Sequence, residues 1–591
     1  MKRTEVENQY KIDLGVLYKS QVEFASDCQL VSKGIAKIQN YKGKVTSSAK
    51  VLYEVLELVI DVSLVFEKLS VYTTLTTQID ASDKAGKNAY AKVNNLATTF
   101  ASEIAFVDDE LLKCEWNTIK KYLKENEDLQ LYEFYLRELF KDKEHILSEK
   151  EEILLSHMSS LADTIENNRS IFFYEDLEFG KVGKTVITNQ NYNKLLESKD
   201  RNFRRNVFKT YNKTFAKFGN TFAALLNSKL TYDIDKAKIR GFSSVLDMSL
   251  NKYNLDKKVI DNYLQVAQEN RALYKNYNKL LKDVLGYKSL YSYDLRYNPL
   301  KKSDKTYSVE EAKDIILSAL SIYGEQYNKY LIEIFNGKVD YLPTDNKATG
   351  AFCIQAYKTR SFAFLNYQGK MIDISTLTHE LGHAVHSLFL IDNNKPVYAS
   401  SSFLLVEIAS LTNEILLCEH ILKTSVDAKE KYELLKTLLD TLLANFFLVA
   451  GRLEVQNKMY EMIEKGDALT ADFIGDINYE SMGKYDGNGL NLLPQNKYIW
   501  MRVSHYYSLY YNYQYAIGVA IACLFATKIL TGEEKEINNY LEFLKSSGRD
   551  YPTETLKKYG VDLTKKDVFT PLINYIESKL KDLKETIKEL K

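Results

Sequence analysis

Proline is scarce in this chain, with six residues in 591 against roughly 5% in average proteins. So few helix breakers over such a length favour long helices. Cysteine is scarce too: Cys28, Cys114, Cys353, Cys418 and Cys523 are scattered, odd in number and never form a Cys-x-x-Cys pair. This argues against a disulfide framework and a thiolate zinc site, and reads as reduced, buried thiols in a cytosolic protein. Net charge is absent, because 79 basic side chains balance 79 acidic ones. No overall field recruits nucleic acid or an anionic membrane. No apolar run approaches a membrane span: the longest, Ala516 to Ala526, is well short of the roughly 20 residues required. The first eight residues soon turn acidic and lack the apolar stretch of a signal peptide. A soluble, cytoplasmic protein is expected. Tyrosine is plentiful at 44 residues, but most tyrosines pack with a wet hydroxyl and need no function.

From about Leu14 to Asn167 apolar residues recur at helical spacing, as in Val51-Leu52, Val55-Leu56, Val59-Ile60 and Leu64-Val65-Phe66. This predicts the antiparallel helices of an N-terminal lobe. Phe172–Tyr174 and Lys184–Thr188 are β-prone around Gly180 and Gly183, and mark a seam before helices resume at Tyr192. Asp200–Arg205 looks basic but reads as a solvated helix face. Gly350–Ala356 and Ser361–Tyr367 form two short strands. The glycine-rich loop Gly483–Asn491 lacks the Gly-Lys-Ser/Thr ending of a phosphate loop. A further helical segment is predicted over Trp500–Thr527, where Tyr506, Tyr510 and Tyr513 would form a packing stripe.

Three of the seven histidines fall in Leu377-Thr378-His379-Glu380-Leu381-Gly382-His383-Ala384-Val385-His386-Ser387. On a helix, His379 and His383 project from one face a turn apart, so both imidazoles can bind one divalent metal. Glu380 sits beside them, where it can take a proton from an activated water. Asp373 or Ser375 is the expected N-cap. The pattern is short, and three features add weight to it. Zinc hydrolase sites use three protein ligands, and Glu407 stands on a following helix, with Glu414 seven residues further on the same face. The flanking Leu377, Leu381 and Val385 suit a buried helix, where a bare histidine pair would be costly without a metal or partner. The preceding hairpin offers an open edge to an extended peptide. His386 lies a turn beyond His383, but the metzincin pattern needs Gly at 386 and His at 389, where this chain has His386 and Phe389. Glu407 is therefore the preferred third ligand, and His386 a supporting or packing residue.

The run GAFCIQAYKTRSFAFLNYQGKMIDISTLTHELGHAVHS over 350–387 resembles the core of oligoendopeptidase F, in the thimet-type oligopeptidase family of zinc metallopeptidases. Val406–Glu414 resembles that family's third-ligand helix. Phe218–Ala224, Lys238–Phe242, Tyr293–Leu295, His505–Tyr507, Tyr510–Tyr515, Ser547–Pro552 and Gly560–Asp562 agree with it as well, so the resemblance spans about Tyr192 to Phe569. It implies a mainly α, two-lobed body with a deep central channel and a small β-sheet beside the zincin active-site helix. An N-terminal helical lobe over 1–190, with a family-type subdomain at about 110–190, would precede a catalytic domain over 191–591. One Zn²⁺ per chain would be held by His379, His383 and Glu407, with Glu380 as general base. Asn413 and Glu414 would hold a ligand histidine's other nitrogen. His505 would stabilise the oxyanion with a tyrosine, Tyr513 or Tyr510, while Gly350, Ala351, Phe352 and Tyr511 would contact substrate. The expected activity is endopeptidase cleavage of short oligopeptides. The alternatives are a C-terminal dipeptide-trimming peptidase of the same fold, or a helical metal-binding scaffold without catalysis. No nucleic-acid or membrane partner is expected, and a homo-oligomer is not excluded.

Overall fold

The computed structural model describes residues 1–300 and 305–590; residues 301–304 and 591 of the expected catalytic domain lie outside the described residues. Helices dominate, as expected, and the strands fall into two small sheets. β1 (Lys181–Val182) and β2 (Thr185–Val186) form a hairpin. β3 (Val339–Asp340), β4 (Phe352–Ala356) and β5 (Arg360–Phe364) form a second sheet in the order β3-β5-β4. The chain divides into two compact units, each assembled from segments distant in sequence. The first is Met1–Glu144, Lys305–His420 and Lys528–Tyr559; the second is His145–Asp304, Ile421–Thr527 and Gly560–Lys591.

In the first unit, helices Gln21–Gln39, Ala49–Ile79 and Lys84–Ile104 pack together. Ser20, Ser48 and Asp83 cap them by accepting backbone N–H groups of the first turn, as such residues do. Their core, including Leu52, Val55, Leu69 and Leu75, continues into Phe362 and Phe364 of β5. β4 and β5 also pack on the helix Met371–Asn393, which carries the histidines. β3, which has no signature in the sequence, runs parallel to β5. Its Asp340 is buried and paired with Lys347 and Arg3, each at 2.7 Å. Arg360 opens β5 and binds Glu333 through two nitrogens, at 2.9 and 2.8 Å. It also meets Asp392 near the end of the histidine helix. The hairpin is thereby tied to the helix beside it.

In the second unit, Phe172–Asp176 is a π-helical continuation of the helix Glu149–Ile171, not a strand. Asp200–Arg205 is only partly solvated. Arg204 is fully buried and bonds Asp294 at 2.8 Å, and Arg201 bonds the same carboxylate. Among the described residues one helix, Ala428–Glu464, is long and apolar enough to cross a membrane, and most of its apolar stretch is buried within the protein. The predicted helix over Trp500–Thr527 is broken. Two 3-10 segments, Pro494–Arg502 and Ser504–Tyr507, precede a left-handed Tyr510 (φ 42°), and the α-helix begins only at Tyr513. Tyr506, Tyr510 and Tyr513 therefore share no helical stripe.

Candidate active site

The histidine helix starts about a turn earlier than expected. Lys370 is the N-cap, and Asp373 at the third position accepts the N–H groups of Lys370 at 2.8 Å and Gln368 at 3.0 Å. That carboxylate closes the first turn from within the helix. Ser375 instead donates to Glu414 at 3.3 Å.

The helix Phe403–Thr424 meets the histidine helix at Gly382. A Cβ there would stand 2.5 Å from Ser410 Cα and 2.9 Å from Ser410 N, so the two backbones approach where only glycine fits. Glu407 lies about a turn before Ser410 and Glu414 about a turn after it, and both carboxylates reach the histidines. His379 Nε2 and His383 Nε2 are 3.2 Å apart. Glu407 places Oε2 3.8 Å from His379 Nε2 and Oε1 3.9 Å from His383 Nε2. One ligand atom from each of these three residues lies within 4.8 Å of the others. Two nitrogens bound tetrahedrally at about 2.05 Å would stand about 3.3 Å apart. The imidazole pair therefore fits a zinc-sized cation, and a two-imidazole, one-carboxylate donor set suits it chemically. His379 Nδ1 faces Glu414 Oε1 at 2.6 Å. This holds the ring proton on the Glu414 side and leaves the Nε2 lone pair for the cluster.

Burial pulls His379 down, but the bond to Glu414 and the charges of Glu414, Glu407 and Glu380 outweigh it and raise the imidazole to about 9. Burial pulls His383 to about 3, with His379 and His386 reinforcing it and the Val406 backbone opposing it. Burial pushes the Glu380 carboxyl up to about 7; His379 opposes the shift, and Glu407 and Glu414 reinforce it. Glu380 is thus a buried carboxyl poised near neutrality beside two imidazoles.

β4 is the outer strand of its sheet, hydrogen-bonded on one side only. It packs on the histidine helix that carries Glu380, and burial, reinforced by the Glu380 charge, pushes its Cys353 thiol up. Asn366 donates to the carbonyls of Ala348 and Gly350 at 2.9 and 3.0 Å and holds the approach to the strand. Gly350 takes φ 92°, Ala351 is half-buried, and Phe352 stacks on Phe364 at 4.8 Å.

Asn413 needs correction, whereas His386 has the packing role expected of it. Asn413 is fully buried, and its Oδ1 accepts from Tyr327 at 2.9 Å. One residue along a helix turns a side chain by about 100°, so Glu414 reaches the histidine and Asn413 faces away from it. His386 is buried against Ser547, with Nε2 2.6 Å from the hydroxyl, so it ties the helix to the Ser547 turn. In the second unit, His505 is half-buried and its ring stacks on Tyr511 at 5.8 Å. Burial pulls His505 below its ordinary range, and Arg452 reinforces this. Tyr510 donates to Asn457 at 2.7 Å and Tyr513 to the Ser249 carbonyl at 3.5 Å, and both are buried. Their hydroxyls are therefore committed to the interior. Tyr515, which the sequence did not single out, donates to the Tyr511 hydroxyl at 3.3 Å and meets His505 edge-on at 6.1 Å. Its spacing of four from Tyr511 was the available signal.

The family model described as peptidase family M3 matches residues 194–573, and the one described as oligopeptidase F matches residues 110–179. Oligopeptidase PepF of Bacillus subtilis is 30% identical over 596 residues, covering 100% of this chain and 89% of its own. A crystal structure from Chlamydophila abortus covers 99% of each chain with a TM-score of 0.91 at 27% identity. That of oligoendopeptidase-F from Enterococcus faecium covers 96% of this chain and 99% of its own, with a TM-score of 0.73 at 28% identity.

Proposed function

The chain belongs to peptidase family M3, a family of metallopeptidases, and from that premise we propose that it is a zinc-dependent endopeptidase for short, unstructured oligopeptides. The observation that supports this most is the convergence of His379 Nε2, His383 Nε2 and the Glu407 carboxylate, with Glu414 behind His379. One zinc ion held by those three residues would act as a Lewis acid on the scissile carbonyl and ease ionisation of the attacking water.

Glu380 takes the proton of the attacking water and delivers it to the leaving amine. A carboxyl that burial moves toward neutrality suits both transfers. The outer edge of β4 takes the peptide backbone as an added strand, with Gly350, Ala351 and Phe352 at its head. His505 and Tyr511 donate to the oxyanion. Tyr511 takes this role in place of Tyr510 and Tyr513, because their hydroxyls are bonded inside the protein. Balanced charge and five free cysteines support a cytoplasmic location.

Chelation to full metal removal should abolish cleavage of a peptide blocked at both ends, and one equivalent of zinc should restore it. Internal cleavage of such a peptide separates an endopeptidase from a C-terminal trimming enzyme. Undiminished cleavage by protein shown by metal analysis to be stripped would overturn the reading.

A further inference from the structure

Among the described residues, Arg452 is the one arginine that is neither exposed nor joined to a hydrogen bond, an ion pair or an aromatic ring. The other arginines that are not exposed all have partners, from the Asp294 pairs of Arg201 and Arg204 to Arg502, whose guanidinium lies 4.9 Å from the centre of the Tyr192 ring. Arg452 is half-buried. It has given up part of its hydration, and its five N–H donors bond nothing in the protein.

Its place is set by the helix Val449–Glu464 in the second unit. Gln456, a turn after Arg452, donates to the Ser508 carbonyl at 3.4 Å, and the adjacent Asn457 accepts from Tyr510 at 2.7 Å. The helix thus lies against the segment that carries His505 and Tyr511. Residues four apart project one above the other, so Arg452 stands a turn further along the face that Gln456 presents to this segment. Burial pulls His505 down, and the Arg452 charge adds to that shift. Asp486 feels the same charge: burial pushes its carboxyl up to about 6, and Arg452 opposes this. The two nevertheless form no ion pair, so the guanidinium remains uncommitted beside His505. Its planar fork matches a carboxylate through two parallel bonds. Every peptide carries a carboxylate at its C-terminus unless blocked there, and many carry others on side chains.

We propose that Arg452 determines specificity in the peptidase reaction by pairing with a carboxylate of the bound peptide, on an acidic side chain or at the C-terminus. This rests on the peptidase reading above, with His505 meeting the substrate. Zinc-loaded full-length protein is assayed on internally quenched peptides in matched pairs. In one set Glu and Gln alternate at a single position, moved residue by residue across the cleaved bond; in the other a free C-terminus is matched with its amide. The carboxylate member of at least one pair should be favoured about tenfold or more in kcat/KM, chiefly through KM, as a charge-assisted bond predicts. Which pair shows the preference tells a side chain from the C-terminus. Arg452→Gln should erase the preference, and Arg452→Lys should keep part of it, because the charge stays and the planar fork is lost. If Arg452→Gln is unstable, Arg452→Met carries the same comparison. Absence of any preference in the wild type, or a preference that survives in Arg452→Gln, overturns the assignment and leaves the peptidase reading standing. A zinc-loaded wild type that cleaves no member of the series overturns both.

Discussion

Alanine at position 382 would place its Cβ 2.5 Å from Ser410 Cα, 2.9 Å from Ser410 N and 3.0 Å from the Ala409 carbonyl oxygen. Contacting carbons normally sit about 3.5–4.0 Å apart, so the two helices must part locally by about 1 Å. All three obstacles are backbone, and no side-chain rotation relieves them. Alanine's better helix propensity returns about 1 kcal/mol, against about 1–3 kcal/mol for overpacking. The net loss of stability is therefore small, a few degrees in Tm. The site should suffer far more. Glu407, a turn from the contact, has its oxygens 3.8 and 3.9 Å from the two histidine nitrogens. A misplacement of about 1 Å costs about 10²-fold in rate. Steady-state cleavage of an internally quenched peptide, with zinc affinity read by chelator competition, should show that loss in kcat/KM together with weaker zinc binding. If Gly382→Ala binds zinc and turns over like the wild type, the close crossing is not what positions Glu407.

Removing the carboxylate behind His379, as in Glu414→Ala, should lower zinc affinity by about 10–100-fold, measured by the same competition. Tyr511→Phe should reduce kcat by about 10²–10³, the usual cost of one oxyanion donor, whereas Tyr513→Phe should leave kcat near the wild-type value. Burial pushes the Glu333 carboxyl up, but its bonds to Arg360 and Lys338 outweigh burial and hold it at about 2. A carboxyl depressed on folding stabilises the protein above its ordinary pKa of about 4.3, and that stability is lost as pH falls toward the folded value. Glu333→Gln should therefore lower Tm at neutral pH, and the gap to wild type should narrow as pH falls from about 4.3 toward 2. Melting curves across that range check it.

The grouping of His379, His383 and Glu407 was legible because its spacing is local: four residues put His379 and His383 on one face, and seven put Glu407 and Glu414 on another. That spacing already favoured Glu414 over its neighbour Asn413; only the resemblance paired the two, and the structure gives Glu414 to His379 and Asn413 to Tyr327. The helical character of the chain was equally legible from its periodicity. β3 was not, because two residues carry no pattern and Asp340 owes its buried place to Lys347 and Arg3, far away in sequence. The tyrosine segment misled for a related reason. Its residues repeat at helical spacing, but the chain turns left-handed at Tyr510, where its hydroxyl is bonded to Asn457 and its ring stacks on Tyr460. Tertiary partners overrode the local period, and the tyrosine facing His505 changed with them.

The central claim is that Glu380 moves the proton while His379, His383 and Glu407 hold the metal. Glu380→Gln keeps the shape of the side chain and removes its basicity, so it separates the two roles. Measured on protein with its zinc content determined, the variant should retain one zinc per chain and lose peptide hydrolysis. Hydrolysis near the wild-type rate by the zinc-loaded variant would contradict the account.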